Sequence, residues 1–398
     1  MKKRLLIVAY SFPPLNSIAS RRWSEMIPEL KKDFDVYVFT QNSSGDLATY
    51  LDEEKIKRVG KIQNLLLTQT NYKRGILHSF ISFFTKNLRS IDSTLFTWYF
   101  KNAKQFKIYV EEIEPDVILT TINPFATALF GRKAKQNNKK IKWVVDIRDS
   151  VSIYNENKKN FFSKFIDRSF DKYIVSKSDL IFTVSDTLSS ILSKFYRKDV
   201  FTIYNGFYKL ADKIAIDNKI IHLYYAGRIY NHREEAFFIL INSIKNMNNI
   251  VFNIRLLSDD KQFNKYSEFL SSNNITNIFI KKAADSETID KEEHASDILI
   301  LLEDMNTDND VGKGTLTGKL FEYLSIQKPI LAVCREDSEI GFILEKTDSG
   351  AIHINKKGIL KFIESYKIFN PNIEKIKFYS RSSQAKICKD HITEILGK

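Results

Sequence analysis

Cysteine is nearly missing from this 398-residue chain, which has only Cys334 and Cys388. Neither stands at metal-ligand spacing or in a disulfide framework, and a reducing cytoplasm fits that usage. The six histidines show no ligand spacing either, so no metal site is expected. No Ser-His-Asp or Cys-His arrangement emerges from the order of residues. Long apolar runs are absent as well: none approaches the roughly 18 uncharged residues a spanning helix needs. Met1-Lys2-Lys3-Arg4 and the apolar residues 5–10 imitate the start of a signal peptide. The run is short, however, Pro13-Pro14 follows at once, and no small-residue cleavage site appears. A first buried strand is the expectation. Tandem repeats and low-complexity tracts are also lacking. What remains is a globular chain, 43% hydrophobic and 27% charged, of a length that suggests two domains.

Acidic residues are scarce in one place in particular. From Lys55 to Lys107 eleven Lys and Arg face a single acid, Asp92, so this stretch holds most of the net +13. It also carries Ile76, Leu77, Phe80, Ile81, Phe83, Phe84, Phe96, Trp98, Tyr99 and Phe100. Apolar faces interleaved with bases suit a helix lying among anionic lipid headgroups. They equally suit an ordinary helix with a packed face and a solvated one. No nucleic-acid motif accompanies the charge, so nucleic acid is not expected as a partner.

Short apolar runs recur at 4–10, 36–40, 117–121, 143–146, 180–184 and 201–204, with helical patterns between most of them, the first over 19–32. After Asn205-Gly206, which reads as a turn, a polar stretch to residue 219 reads as a linker. The rhythm then restarts at 220–226 and continues at 252–257, 278–281, 298–302, 330–333 and 351–354, ending in helical sequence over 373–396. The expected fold class is α/β: two Rossmann-like domains facing a cleft, at 1–205 and 220–372, joined by 206–219 and followed by a helical segment 373–398.

Phosphate chemistry is suggested where a glycine-rich loop runs into a helix, because free N–H groups and the helix dipole favour anions. Gly312-Lys313-Gly314-Thr315-Leu316-Thr317-Gly318-Lys319 does this ahead of Leu320-Phe321-Glu322. It is not a Walker A loop. A second basic site follows the run 220–226, in Gly227-Arg228-Ile229-Tyr230-Asn231-His232-Arg233. Fixed guanidinium groups there would stabilise charge gathering on a departing diphosphate without a metal.

Gly227-Arg228 with Arg233, Tyr204-Asn205-Gly206-Phe207, and Thr317-Gly318-Lys319-Leu320-Phe321-Glu322-Tyr323-Leu324 with Pro329-Ile330-Leu331 resemble the retaining glycosyltransferases of family four. So do Tyr10-Ser11-Phe12-Pro13-Pro14, Ser20-Arg21-Arg22-Trp23, Thr120-Thr121-Ile122-Asn123-Pro124 and Asp146-Ile147-Arg148-Asp149, in the manner of members acting in envelope polysaccharide assembly. The resemblance implies the GT-B fold and transfer from a UDP- or GDP-sugar to a glycan or lipid-linked acceptor, with no cofactor. By it Glu322 grips the ribose, Arg228 and Arg233 take the diphosphate, and Thr315, Leu316, Thr317, Gly318 and Lys319 line the donor. Ser17 approaches the donor from the first domain. Arg21, Asn123, Arg148 and Asp149 face the acceptor, Asp149 with a catalytic part alongside Arg228 and Arg233. Arg233 replaces the lysine usual there, which changes a compact ammonium for a planar fork. Gly314 stands where the family often has a glutamate, Leu15-Asn16-Ser17 where it often has paired glycines, and Asn123-Pro124-Phe125 where many members place a histidine.

Asp146 to Asp149 also suits an internal salt-bridge network at a strand end. A nucleotide-sugar epimerase of the same architecture, or a non-catalytic binder of glycan or nucleotide sugar, would share the fold. The expected location is the cytoplasm, with peripheral contact at the inner face of the plasma membrane.

Overall fold

The computed structural model describes residues 1–63, 94–149, 161–212, 219–308 and 310–397. Most of the basic aromatic stretch and part of the expected linker lie outside the described residues. The chain divides into two compact units, Met1–Tyr208 with Arg381–Lys398, and Lys209–Ser380.

In the first unit the strands are β1 (Lys3–Ala9), β2 (Phe34–Ser43), β3 (Ile56–Gln63), β4 (Val117–Ile122), β5 (Lys142–Ile147), β6 (Leu180–Thr183) and β7 (Val200–Thr202). They form one parallel sheet in the order β3-β2-β1-β4-β5-β6-β7. Leu5, Leu6, Ile7 and Val8 have no exposed surface, as a parallel strand covered on both faces requires. The apolar runs marked six of these strands. β3 escaped notice because Lys57 and Arg58 separate its buried Ile56 and Val59. Such charge belongs on an edge strand, where it discourages further pairing.

The helix expected over 19–32 is two, Ile18–Ser24 and Ile27–Leu30, with Pro28 in the first turn of the second. Proline lacks the N–H a helix interior needs but is tolerated at its start, so the chain breaks just before it. The closing helical segment is divided as well. Helix Ile373–Lys377 belongs to the second unit and helix Arg381–Gly397 to the first. The latter puts Ala385, Cys388 and Ile392 into a core shared with Leu5, Ile7 and Phe182. Its first residue is tied down: Arg381 N–H donates to Phe207 O at 2.8 Å, and its guanidinium donates to Asn205 O and pairs with Glu25.

The second unit has strands β8 (Ile221–Gly227), β9 (Ile250–Leu256), β10 (Ile278–Lys282), β11 (Ile298–Leu302), β12 (Ile330–Val333) and β13 (Gly350–Ile352). They too form a parallel sheet, ordered β10-β9-β8-β11-β12-β13. In both sheets strand order reverses once, between β1 and β4 and between β8 and β11. Connections leave in opposite directions at such a point and open a crevice at the carboxyl ends of the strands. Among the described residues no helix is long and apolar enough to cross a membrane.

Candidate functional site

In the second unit, β8 and β11 flank the switch point. β8 ends at Gly227, which has φ +156°; a side chain there would crowd the Tyr225 hydroxyl at 3.1 Å. That hydroxyl donates to Arg228 O at 2.8 Å and so fixes the turn. The Arg228 side chain is exposed and makes no hydrogen bond among the described residues. Arg233 is held differently. Its Nη2 pairs with Glu303 Oε2 at 2.7 Å, its Nη1 lies 3.4 Å from Arg228 O, and its guanidinium carbon sits 5.2 Å from the Tyr230 ring centre. Its Nε is buried without a partner among the described residues.

Glu303 follows β11 directly and is 7% exposed. Burial pushes its carboxyl up to about 7, against the pull of Arg233 and of Thr317 beside it. No motif in the sequence marks this residue. The available signal was an acidic pair, Glu303-Asp304, at the end of an apolar run, where a charge is either solvated or bound to a partner.

Thr317 precedes helix Gly318–Ile326 and gives it no side-chain cap. The first N–H groups of that helix therefore keep their capacity for an anion. Thr315 spends its hydroxyl on Val311 O at 3.3 Å, and Leu316 is buried, so these two offer backbone only. Lys319 binds Glu293 at 3.1 Å and lies 3.4 Å from Glu322. Glu322 remains 45% exposed at its side chain. Arg228, Arg233, Glu303 and Thr317 are thus gathered at one end of this sheet, while Lys319 lies in the first turn of the helix and Glu322 one turn on.

The first unit presents its own group at the carboxyl ends of β1, β4 and β5. Ser17 caps helix Ile18–Ser24, its hydroxyl accepting from Ser20 N at 3.1 Å. Arg21 donates to Asn16 at 3.1 Å. Beneath them Asp146, fully buried, accepts from Arg22 Nη2 at 2.8 Å, Arg22 Nε at 3.1 Å, and Trp23 Nε1 and Thr121 Oγ1 at 2.9 Å each. Four donors hold that carboxylate and it has no exposed surface, so it joins strand to helix and is closed to a ligand. Asp149 differs: it is exposed and accepts only a 3.3 Å bond from Asn123 Nδ2 among the described residues. Asn123 has φ +106°, a region side chains other than glycine rarely adopt. Arg148 Nε is buried without a partner among the described residues; burial weighs against its charge, and Asp146 and Asp149 favour it. A cavity of about 640 Å³ lined by Phe106, Val110, Pro115, Ala134 and Ile141 lies at the opposite, amino ends of β4 and β5.

No protein-family model matches the sequence, and no curated protein does. Solved structures are similar in shape. Sucrose-phosphate synthase from Thermosynechococcus elongatus overlays with TM-score 0.69 at 11% identity, covering 100% of both chains. A glycosyltransferase from Rickettsia africae ESF-5 gives 0.65 at 13%, covering 99% of each. Anabaena Alr3699/HepE in complex with UDP gives 0.64 at 11%, covering 98% of this chain and 100% of that one. At such identities the likeness concerns architecture, and it agrees with the two parallel sheets: the chain has the α/β GT-B fold.

Proposed function

We propose that this chain is a glycosyltransferase that takes a sugar from a nucleoside-diphosphate donor, UDP- or GDP-linked, held by the second unit. The observation that carries the reading is the uncapped helix start at Thr317 set at the same switch point as Arg228 and Arg233. Helix N–H groups and guanidinium groups bind a diphosphate, and they bind it harder as the glycosidic C–O bond breaks and charge moves onto the leaving phosphate. In a retaining transfer that phosphate also receives the acceptor proton while the acceptor oxygen bonds the sugar carbon. Arg228 and Arg233 supply the charge stabilisation here, so turnover persists with a chelator present. Glu322, half-exposed and one turn into the helix, takes the ribose hydroxyls. The UDP bound by the Anabaena structure supports a uridine nucleotide as the first choice to try.

The acceptor side is assigned to the first unit, with Asp149, Asn123, Arg148 and Arg21 around an acceptor hydroxyl, and the acceptor to envelope glycans or lipid-linked glycans. Contact with an anionic membrane belongs to the same proposal. Trp98 is core, packed on Tyr10 and Phe130, whereas Phe100 is 59% exposed. Helix Phe161–Val175 exposes Phe161, Phe162 and Phe165 close in sequence to Lys164 and Arg168. Such a face fits an anionic interface. Vesicles with anionic lipid retain the protein at modest salt on this view; a protein left in the supernatant removes the membrane from the proposal.

Thermal unfolding against UDP, GDP, ADP and dTDP, with and without magnesium, tests the donor site. A ligand at 100 times its Kd adds about 2.7 kcal/mol to native stability. One diphosphate stabilising the wild type but not Glu322→Ala is the expected result. No stabilisation by any of them sinks the reading. Conversion of donor sugar without an acceptor would favour an epimerase.

A further inference from the structure

We infer that Glu303 is a positioning residue for Arg233 and takes up one proton when an anionic ligand occupies the switch point of the second unit. The inference rests on the donor reading above and names a control on that same site.

Arg233 is fixed on several sides, by Glu303 at 2.7 Å, by the Tyr230 ring and by Arg228 O. The guanidinium is therefore in place, but its charge is matched by a carboxylate only 7% exposed. A diphosphate arriving here meets the free charge of Arg228 and a neutral ion pair. Bringing a second anion beside a buried carboxylate is unfavourable unless the carboxylate loses its charge. Protonation from solvent does this: the proton goes to Glu303, Arg233 keeps its own, and the ion pair becomes a hydrogen bond that still aims the guanidinium. The full positive charge then serves the phosphate.

His232 stacks on the Tyr230 ring beside Arg233 and is unchanged by Glu303→Gln; the groups that act on Glu303 itself come from the elements around it. They are Arg233 after β8, Tyr225 on β8, Asp304 on its own loop, Thr317 before helix Gly318–Ile326 and Cys334 after β12. Burial pushes Tyr225 and Cys334 each up to about 12, so both stay protonated. Asp304 is more exposed than Glu303. Glu303 itself starts at about 7 without ligand, through burial. A nearby anion raises it further. Between the free and the bound values the free protein is ionised and the complex protonated, so affinity falls with rising pH, by at most about tenfold per unit. Below about 7 the dependence vanishes.

Calorimetric titration of UDP and GDP at pH 7.0 and 8.0, in buffers of different ionisation enthalpy, measures both affinity and protons taken up. The terminal phosphate of the nucleotide also titrates near this range, so Glu303→Gln is run beside the wild type. Expected is a wild-type affinity that falls about three- to tenfold over that unit with net proton uptake, and a Glu303→Gln affinity nearly flat. Identical pH profiles in the two proteins overturn the inference and leave the donor reading standing. If Glu303→Gln does not fold, wild-type titration at pH 8.0, where the free nucleotide is fully ionised, decides alone: zero proton uptake overturns it. Binding of neither nucleotide at any pH defeats the donor reading and this inference together.

Discussion

Asp146 and Asp149 leave the same strand end, yet only one is available for chemistry. Asp146 is enclosed by Arg22, Trp23 and Thr121 with no exposed surface, whereas Asp149 is exposed. Removing one member of a buried ion pair strands the other, at about 3–5 kcal/mol. Asp146→Ala is therefore expected to lower the free energy of urea unfolding by about that much. Asp149→Asn is expected to leave unfolding within about 0.5 kcal/mol of wild type and to lower turnover, which an acceptor-dependent assay reads. The two arginines divide in a parallel way. Arg228→Ala should weaken nucleoside diphosphate binding about tenfold or more, as loss of a charge-assisted hydrogen bond does, with unchanged stability. Arg233→Ala abandons Glu303 in the interior. Because burial already raises that carboxyl from 4.5 to about 7, the folded state holds more protons than the unfolded one between those values. Stability from this group is present at low pH and declines as pH rises to 7. Without Arg233 the decline runs further, so Arg233→Ala should lose more against wild type at pH 8 than at pH 6. Arg228, Arg233 and Asp149 could be picked from sequence because each follows an apolar run. Glu303 lies 70 positions from Arg233, and nothing in local pattern says that two such distant charges meet.

Elements were more legible than partnerships. Runs such as 298–302 announce a strand because a sheet covered on both faces leaves no room for polar side chains. β3 did not announce itself, being an edge strand whose charges are its protection. Pro28 was in plain view, and reading residues 19–32 as one helix ignored it. The last helix shows a different limit. Its pattern says helix, but not which core it serves. Ile392 has no exposed surface and packs in the core of β1 and β6. Ile392→Ala should accordingly destabilise the first unit by about 2–5 kcal/mol. Protease protection of the first unit's strands should fall with it while that of the second unit is kept.

At the scale of the whole molecule, the second unit is an insertion: the chain departs after Tyr208 and returns at Arg381. The sequence showed two α/β halves in tandem because strand rhythm is written along the chain, whereas the return is a contact across it. The second unit has a hydrophobic core of its own, built around Phe237, Leu240, Phe252 and Ile300. Residues 209–380 expressed alone are expected to unfold cooperatively, and a flat denaturation profile would contradict this. Residues 1–380 should instead bind a hydrophobic dye, since removal of the last helix uncovers Leu5, Ile7 and Phe182.

The helix Arg381–Gly397 imposes an order on synthesis. Every residue of the second unit leaves the ribosome before the helix that completes the first unit exists. The half made first is therefore finished last, and during translation its apolar surface waits for a segment still to be made. That interval is when a chaperone has something to hold.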